Sequence, residues 1–463
     1  MSDLDVIILA AGKGTRMKSA TVKVLHRAAG RPIIEYVLDL ASEVGAKSPV
    51  VVVGHQRDDV RNAIGDRARF AVQEPQLGTG HAVLMAAEHI KGQRVLILSG
   101  DVPLTRLETL QQLLAQHEAE KNALTLLTMK LDDPAMYGRI VRDANGSVAR
   151  IVEAKDASAD EKRIDEVNAG IYVFDTEHLF GNLRGLSPKN AQGEYYLTDL
   201  IAVLRNAGHR VGAVIASDPV EALGVNSRAD LAAVEGEIQR RVVARLMASG
   251  VTFRNPSTVV IDSTVTIGND SVVYPFVTIE GTTKIGSGCV LEPGVHLINV
   301  TAGDNVHFKS GTVAEQAQID DDASVGPYAH LRPGTRLGTH VKVGNFVETK
   351  KAVFGSGAKA SHLSYIGDAE VGADVNIGAG TITCNYDGVN KNKTVIEDGA
   401  FIGSDSQLVA PVTVGKGAYV AAGSTITKDV PADSLALSRT PQKTIKGWAI
   451  KRRAEIERKK KGD

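Results

Sequence analysis

Two stretches of this 463-residue sequence place chemically capable side chains at spacings that core packing alone does not demand. The first is Ala10-Ala11-Gly12-Lys13-Gly14-Thr15-Arg16-Met17, which follows the apolar run Val6–Ala10 and leads on to Lys23. Its glycines allow backbone N–H groups to approach phosphate oxygens closely. Lys13, Arg16 and Lys23 add positive charge, and Arg16 offers a planar fork of donors. The pattern is not GxxxxGK[ST], and Met17 stands where a GxGxxG fingerprint needs its third glycine. Further on, Asp101 ends another apolar run in Ser99-Gly100-Asp101-Val102-Pro103. A carboxylate there can hold a Mg²⁺ ion that keeps several waters, although an aspartate after a strand is also an ordinary turn former. The second stretch centres on His362, in Lys359-Ala360-Ser361-His362-Leu363-Ser364-Tyr365. With an unperturbed pKa near 6.5, a histidine can act as a general base at neutral pH.

Other candidates carry less. Cys384 lies beside Asn385, but no base is evident to activate its thiol. His330, His340 and His362 do not have the spacing of a metal cluster, and Cys289 and Cys384 form no CxxC pair. Two unpaired cysteines fit a reducing cytoplasm. The net charge of -1 gives no electrostatic case for nucleic acid or an acidic membrane. No apolar run reaches the roughly 18 residues of a membrane span. The opening MSDLDVIILAAG is expected to be a buried strand, not a signal peptide.

The elements that must hold these residues follow two grammars. Residues 1–226 alternate short apolar runs (Val6–Ala10, Val50–Val53, Val95–Leu98, Leu124–Met129) with amphipathic patterns at Ile33–Leu40 and Thr109–His117. This predicts an α/β domain with a largely parallel, Rossmann-like sheet. Residues 227–250 read as one linker helix. Ser227 and Asp230 form a capping box, and Leu231, Val234, Ile238, Val242 and Leu246 make an apolar stripe.

Over residues 251–463 the period becomes six. Ile267, Val273, Ile279, Ile285, Leu291 and Leu297 recur at that interval, as do Ile319 to Val343 and Ile402 to Ile426. A hexad suits a parallel β-helix, three hexads to a triangular coil, with the aliphatic residue inward. The register is expected to break near 298–318 and again within 344–401, where Cys384–Lys393 (CNYDGVNKNK) is too polar for a coil and should be an ejected loop.

The motifs together resemble a known family. LAAGKGTRM with Lys23-Val24-Leu25-His26, Gln73 with Leu77-Gly78-Thr79-Gly80, and Ser99-Gly100-Asp101-Val102-Pro103 are similar to nucleoside-diphosphate-sugar pyrophosphorylases. Tyr137-Gly138-Arg139-Ile140, Ile151-Val152-Glu153, Asn168-Ala169-Gly170, Gly193-Glu194-Tyr195-Tyr196 and Val225-Asn226 follow in order. With LRPG, GNFVETKK, GAGTITCNYDG and FIGSDSQLVAPV behind them, the whole chain resembles the bacterial bifunctional glucosamine-1-phosphate acetyltransferases/N-acetylglucosamine-1-phosphate uridylyltransferases. The resemblance implies a left-handed β-helix, a homotrimer with acetyltransferase sites between subunits, and UTP, glucosamine-1-phosphate, N-acetylglucosamine-1-phosphate and acetyl-CoA as substrates.

It also implies residue roles. Leu9, Ala10, Ala11, Gly12, Gln73, Gly78 and Thr79 would form the uridine pocket, with Arg16 and Lys23 on phosphate and Ser99 and Gly100 beside the nucleotide. Gly138, Glu153 and Asn168 would hold the sugar, and Asp101 and Asn226 would bind Mg²⁺. In the second half, His362 would be the general base. Arg332, Lys350, Tyr365 and Asn376 would bind glucosamine-1-phosphate. Ala379, Asn385, Tyr386, Ser404, Ala422 and Arg439 would bind acetyl-CoA. Two departures stand out: Val22 replaces the usual proline before Lys23, and Ser99 stands where relatives often carry tyrosine. The basic tail Lys451–Lys461 is either a solvated tail or a contact for the anionic nucleotide of CoA. Two other functions fit the same domains. One is a nucleotidyltransferase with a purely structural or regulatory coil. The other is a non-catalytic regulatory subunit, which would be expected to lack Asp101, Arg16 and Lys23.

Overall fold

The computed structural model describes residues 3–461 except 13, 55 and 135, so Lys13 of the phosphate loop lies outside the described residues. The chain forms two compact units, Met1–Ala244 with Ile261–Ser263, and Arg245–Val260 with Thr264–Asp463.

The first unit is built on a nine-stranded sheet. Its strands are β1 (Leu4–Leu9), β2 (Val50–Val53), β3 (Arg69–Val72), β4 (Arg94–Ser99), β5 (Leu124–Lys130), β6 (Arg139–Arg142), β7 (Val148–Val152), β8 (Glu166–Asp175) and β9 (Val211–Ile215). The main path runs β9-β5-β8-β4-β1-β2-β3, with the β6–β7 hairpin joined through β8. All pairs on that path are parallel except those made by β8, which runs antiparallel between β4 and β5. Helices cover both faces, so the strands read as continuous aliphatic runs; Val50 to Val53 are all fully buried. Alternate residues feed two separate cores. Val6, Ile8, Leu96 and Leu98 join the helices Ile33–Glu43 and Leu107–Ala119 on one side. Ile7, Val95 and Ile97 join Thr79–Met85 and Leu200–Asn206 on the other.

The helix over Arg228–Ala248 starts as its capping pair requires. The Asp230 N–H donates to Ser227 Oγ at 3.2 Å, and the Ser227 N–H donates to Asp230 Oδ2 at 2.8 Å. Among the described residues, no helix is long and apolar enough to cross a membrane.

The second unit is a parallel coil of strands two to seven residues long. Ile267 pairs with Ile285, Val273 with Leu291 and Ile279 with Leu297, a repeat of eighteen residues per coil. The expected first break is a change of step, not an interruption. Ile285 pairs with Ala302, Leu291 with Phe308 and Leu297 with Ala314, seventeen residues apart. One corner has lost a residue, and the inward positions pass to Ala and Phe, which a search for Ile, Val and Leu overlooks. The second break hides the same continuity. Thr349, Ala360 and Thr383 point inward and are buried, and the Thr335 and Thr349 hydroxyls share one hydrogen bond at 2.9 Å, Thr335 also donating to Arg332 O at 2.8 Å. Among the described residues one coil is interrupted: Thr383 pairs with Leu408 across twenty-five residues, because the segment after Cys384 leaves the coil. Cys384 itself stays in the strand Ile382–Cys384, and the loop closes on a Tyr386–Lys391 bridge.

A buried histidine ties the first unit's stability to pH. His117 hydrogen-bonds Thr125 Oγ1 at 3.0 Å and Asp175 Oδ1 at 3.2 Å. Burial, opposed by Asp175, holds its pKa below the ordinary 6.5. The neutral ring is therefore favoured in the fold, while the unfolded chain binds a proton as pH falls through 6.5. Stability from this group is full above that pH and declines below it. His117→Gln is expected to flatten the decline between pH 7 and pH 5 in thermal unfolding; parallel curves would contradict this account.

Candidate functional site

In β1 and β4, Leu9 and Ser99 are register partners, so the phosphate loop and the Gly100-Asp101 turn leave the sheet side by side. This is the carboxyl end of a parallel sheet at the point where the chain order diverges to either side of β1, the place where such folds form a binding crevice. A cavity of about 670 Å³ opens there. Its walls include Leu9, Ala10, Ala11, Gly12, Arg16, Lys23, Gln73, Gly78, Thr79, Ser99 and Asp101. Gly100 lies behind the wall, its N–H donating to Leu9 O at 2.9 Å.

The loop is anchored by Met17, which is buried, while Arg16 is exposed to the cavity. Gly14 has φ +59, and a Cβ on it would lie 2.7 Å from Lys23 Cβ. A side chain there would both strain the backbone and push Lys23 away. Val22, with φ -56, already has the backbone angle that a proline would impose, so the absent proline costs the loop no change of shape. Lys23 Nζ contacts Asp101 Oδ2 and also reaches Asn226 Oδ1 at 3.3 Å. One cationic centre thus meets both expected metal ligands. Among the described residues, no cluster of three or more His, Cys, Asp or Glu offers a metal cage. Asp101 on the cavity wall and Asn226 behind Lys23 offer two hard oxygens, a set that would suit a small divalent ion completed by water and phosphate oxygens.

Gly138, Glu153 and Asn168 gather at a second cluster nearby. Asn168 N–H donates to Gly138 O at 2.9 Å. A Cβ on Gly138 would lie 2.9 Å from Ile151 Cγ2 and 3.5 Å from the Glu153 carboxylate, so only glycine fits. Asn168 Oδ1 accepts from the Gly170 N–H at 3.0 Å, and Ser99 Oγ donates to Gly170 O at 3.1 Å. The small Ser99 therefore ties the nucleotide-sized cavity to this cluster. Burial raises the Glu153 pKa, with Asp156, Asp199 and Glu194 adding to it against a hydrogen bond from Thr198 Oγ1 at 3.2 Å. Gln76, Gln192 and Glu194 also line the main cavity, and the Gln76 amide donates to Ala11 O. Gln76 lies in the same short segment as Gln73 and Gly78, but the sequence does not say which amide turns toward the loop.

In the coil, one corner stacks five residues. Asn345 and His362 are register partners. Hydrogen bonds from Gly380 N–H to Leu363 O, Asp405 N–H to Ala379 O and Gly423 N–H to Ser404 O continue the column through Ala379, Ser404 and Ala422. Arg439 joins it through its side chain, donating to Ala422 O at 2.8 Å. His362 Nδ1 lies 3.2 Å from Asn345 Oδ1. An amide oxygen can only accept, so this bond puts the proton on Nδ1 and leaves Nε2 as the basic nitrogen.

A second group is cationic. Arg332 pairs with Glu348 at 2.7 Å. The Lys391 side chain against Lys350, with Arg332 beyond, pulls the Lys350 ammonium below the ordinary lysine range. Lys391 comes from the ejected loop, and its spacing to Lys350 could not be read from the sequence. Asn385 donates to Asp368, while Tyr386 is exposed on the loop. Tyr365 pairs in register with Glu348, and Asn376 lies on the preceding face, opposite Lys359. His362 is hydrogen-bonded within the corner column, and Arg332 and Lys350 belong to the cationic group; none of the described hydrogen bonds joins the two groups.

A cavity lined by a glycine-rich loop, Arg16 and Lys23 on a mainly parallel sheet, followed in the same chain by a hexad coil with a histidine at one corner, defines a nucleotidyltransferase joined to a hexapeptide-repeat transferase. Residues 5–219 match the nucleotidyl transferase family, and residues 264–299 and 393–428 match the bacterial transferase hexapeptide family (six repeats). The chain is 55% identical to the "Bifunctional protein GlmU" of Trichlorobacter lovleyi over 96% of its own length and 98% of that protein. It is 52% identical to the protein of the same name from Pelobacter propionicus, covering 97% and 99%, and 49% identical to that of Geobacter sulfurreducens, covering 98% and 100%. The chain belongs to the GlmU family of bifunctional proteins, and its coil is the left-handed parallel β-helix of hexapeptide repeats.

The burial of Glu153 has a measurable sign. Its carboxyl pKa is raised in the fold, so ionisation costs the folded state more than the unfolded one. Replacing it by the neutral isostere in Glu153→Gln is expected to leave the thermal midpoint unchanged or higher. The advantage of the variant should grow as pH rises above 4.5, the ordinary value. A fall of several degrees at pH 7 would show that the carboxylate is stabilising instead.

Proposed function

We propose that residues 1–226 carry the uridylyltransferase, that residues 251–463 carry the acetyltransferase, and that the helix within 227–250 joins them. As a member of its family, the chain is a bifunctional enzyme of UDP-N-acetylglucosamine synthesis. The coil acetylates glucosamine-1-phosphate from acetyl-CoA, and the first domain couples the product to UMP from UTP. The observation that carries the first assignment is the arrangement of Arg16, Lys23 and Asp101 around one cavity at the ends of β1 and β4.

In uridylyl transfer, a phosphate oxygen of N-acetylglucosamine-1-phosphate attacks the α-phosphorus of UTP. A new P–O bond forms, the α–β bridge breaks, and pyrophosphate leaves with the electron pair. The attacking phosphate has a second pKa near 6, so it is mostly ionised and needs no general base. Positioning and charge neutralisation are what the site must supply. Leu9 to Gly12, Gln73, Gly78 and Thr79 hold the nucleotide, Arg16 and Lys23 meet its phosphates, and Glu153 and Asn168 accept and donate to the sugar hydroxyls. Asp101 and Asn226 are assigned to Mg²⁺, which when bound neutralises charge on the triphosphate.

In acetyl transfer, the neutral amine of glucosamine-1-phosphate attacks the thioester carbonyl. His362 Nε2 accepts the ammonium proton as the C–N bond forms, and the C–S bond breaks to release CoA. Arg332 and Lys350 are assigned to the sugar phosphate, with Lys391 as a third cation and Tyr365 and Asn376 on the sugar. Asn385 and Ser404 are assigned to the thioester, and Ala379, Tyr386, Ala422 and Arg439 to the CoA chain. A purely structural coil would leave every activity intact in His362→Ala. The expected result is a loss of about 10²- to 10⁴-fold in acetylation, with uridylyl transfer spared. Asp101→Ala should do the reverse, abolishing uridylyl transfer. Loss of both reactions in one folded variant would overturn the two-site assignment.

A homotrimer in the cytoplasm completes the proposal. The corner beside His362 supports it. Tyr328, Phe346 and Leu363 occupy that corner in successive coils with φ of +52, +55 and +47, each more than half exposed. Tyr328 and Phe346 stack with centroids 5.6 Å apart. Bulky residues pay for a left-handed backbone, and exposed apolar surface adds a second cost. A neighbouring subunit covering this ladder offsets both and closes the open corner at His362. Phe346→Asp is expected to shift the protein toward monomers in sedimentation and to depress acetylation alone. A trimer of unchanged stability would remove this ladder from the interface.

A further inference from the structure

Lys23 stands in an unusual position for a phosphate-binding lysine. Its ammonium contacts Asp101 Oδ2 and Asn226 Oδ1, and the Lys23 and Asp101 side chains are only 14% and 17% exposed. Its stem is held from behind, since Gly14 leaves no gap in which the methylenes could swing back. The two side chains it engages, Asp101 and Asn226, are the two assigned to the divalent ion. Among the described residues no third acidic or imidazole ligand joins them. A lysine ammonium and a metal on these two side chains compete, because like charges a few ångströms apart repel strongly where water is partly excluded.

We propose that Lys23 is an internal counter-ion that occupies the metal-ligand pair until a nucleotide triphosphate arrives. The inference rests on the assignment of Asp101 and Asn226 to Mg²⁺. A metal entering alone must break a charge-assisted hydrogen bond and gains only two protein oxygens in return. Magnesium dehydrates reluctantly, so this exchange is unfavourable. A triphosphate changes both sides of it. Its oxygens accept the Lys23 ammonium, and others complete the coordination of the ion. Lys23 thus passes from carboxylate to phosphate as the metal takes its place. Metal and nucleotide each raise the other's affinity by the same factor, as linkage requires. Between turnovers the lysine keeps the Asp101 carboxylate neutralised and aimed at the cavity.

The test is binding of Mn²⁺ alone, without nucleotide, followed by the electron paramagnetic resonance signal of the free ion. Lys23→Met keeps the stem against Gly14 and removes the charge; Lys23→Gln serves as a second variant should the first fail to fold. Both are expected to bind Mn²⁺ about ten- to a hundredfold more tightly than the wild type, the range a charge-assisted hydrogen bond is worth. Asp101→Ala should abolish the tightened binding when combined with either. Affinity equal to or weaker than the wild type in both lysine variants, with binding still lost on Asp101→Ala, overturns the counter-ion role and leaves the metal site standing. Binding that survives Asp101→Ala and Asn226→Ala overturns the metal assignment itself.

Discussion

Parallel pairing of backbone strands is the constraint on which both halves of this protein depend. Parallel neighbours end at the same edge, so whatever follows them emerges together. In the first unit, pairing of Leu9 with Ser99 brings the phosphate loop and Asp101 to one edge from ninety residues apart. In the second, each coil sits on the last in parallel register, so residues seventeen, eighteen or twenty-five positions apart become neighbours. The pairing of the strands, more than their sequence neighbours, places the chemistry.

The same constraint sets different requirements on the two cores. A sheet covered on both faces needs unbroken aliphatic strands, and Val50–Val53 meets that need. A coil needs one inward residue per short face and tight corners between faces. The corners can lose a residue, as the seventeen-residue steps show, because the register is fixed by the paired faces between them. They can also extrude a loop, as at Asn385–Lys393, without disturbing Ile396, which still pairs with Val414. Rigidity of the coil is therefore compatible with variation at its corners, where His362, Lys350 and Lys391 are found.

Electrostatics then differentiates the sites. The nucleotide cavity opposes cations and oxygens at close range, Lys23 against Asp101 and Asn226, beside an exposed Arg16. The coil surface instead crowds like charges, with Lys391 depressing the Lys350 pKa. The first is a compensated pair, whereas the second sets Lys350 and Lys391 side by side next to the Arg332–Glu348 pair. The acidic Glu153 belongs to a third type, a half-buried carboxylate beside Gly138 whose surroundings raise its pKa.

Local chemistry and period were legible in the sequence. The glycines and cations of the loop, the aliphatic runs of β1, β2, β4 and β5, the capping box at Ser227 and the hexads all act over a few residues, so their spacing declares them. The polarity of the loop after Cys384 excluded it from the coil for the same reason. What the sequence did not disclose depends on neighbours distant along the chain. The antiparallel β8 looks locally like any other apolar strand, and its direction is decided by the gap between β4 and β5. Phe308, Thr349 and Thr383 point inward only because their coil neighbours are in register, so their types hid the continuity of the helix. The positions of Asn345, Lys391, Gln76 and Glu348 beside functional groups have the same origin, as does the meeting of Lys23 with Asp101 and Asn226. Side-chain type and short-range period are properties of the chain, but which charges meet is set by strand register, and register exists only once the strands have paired.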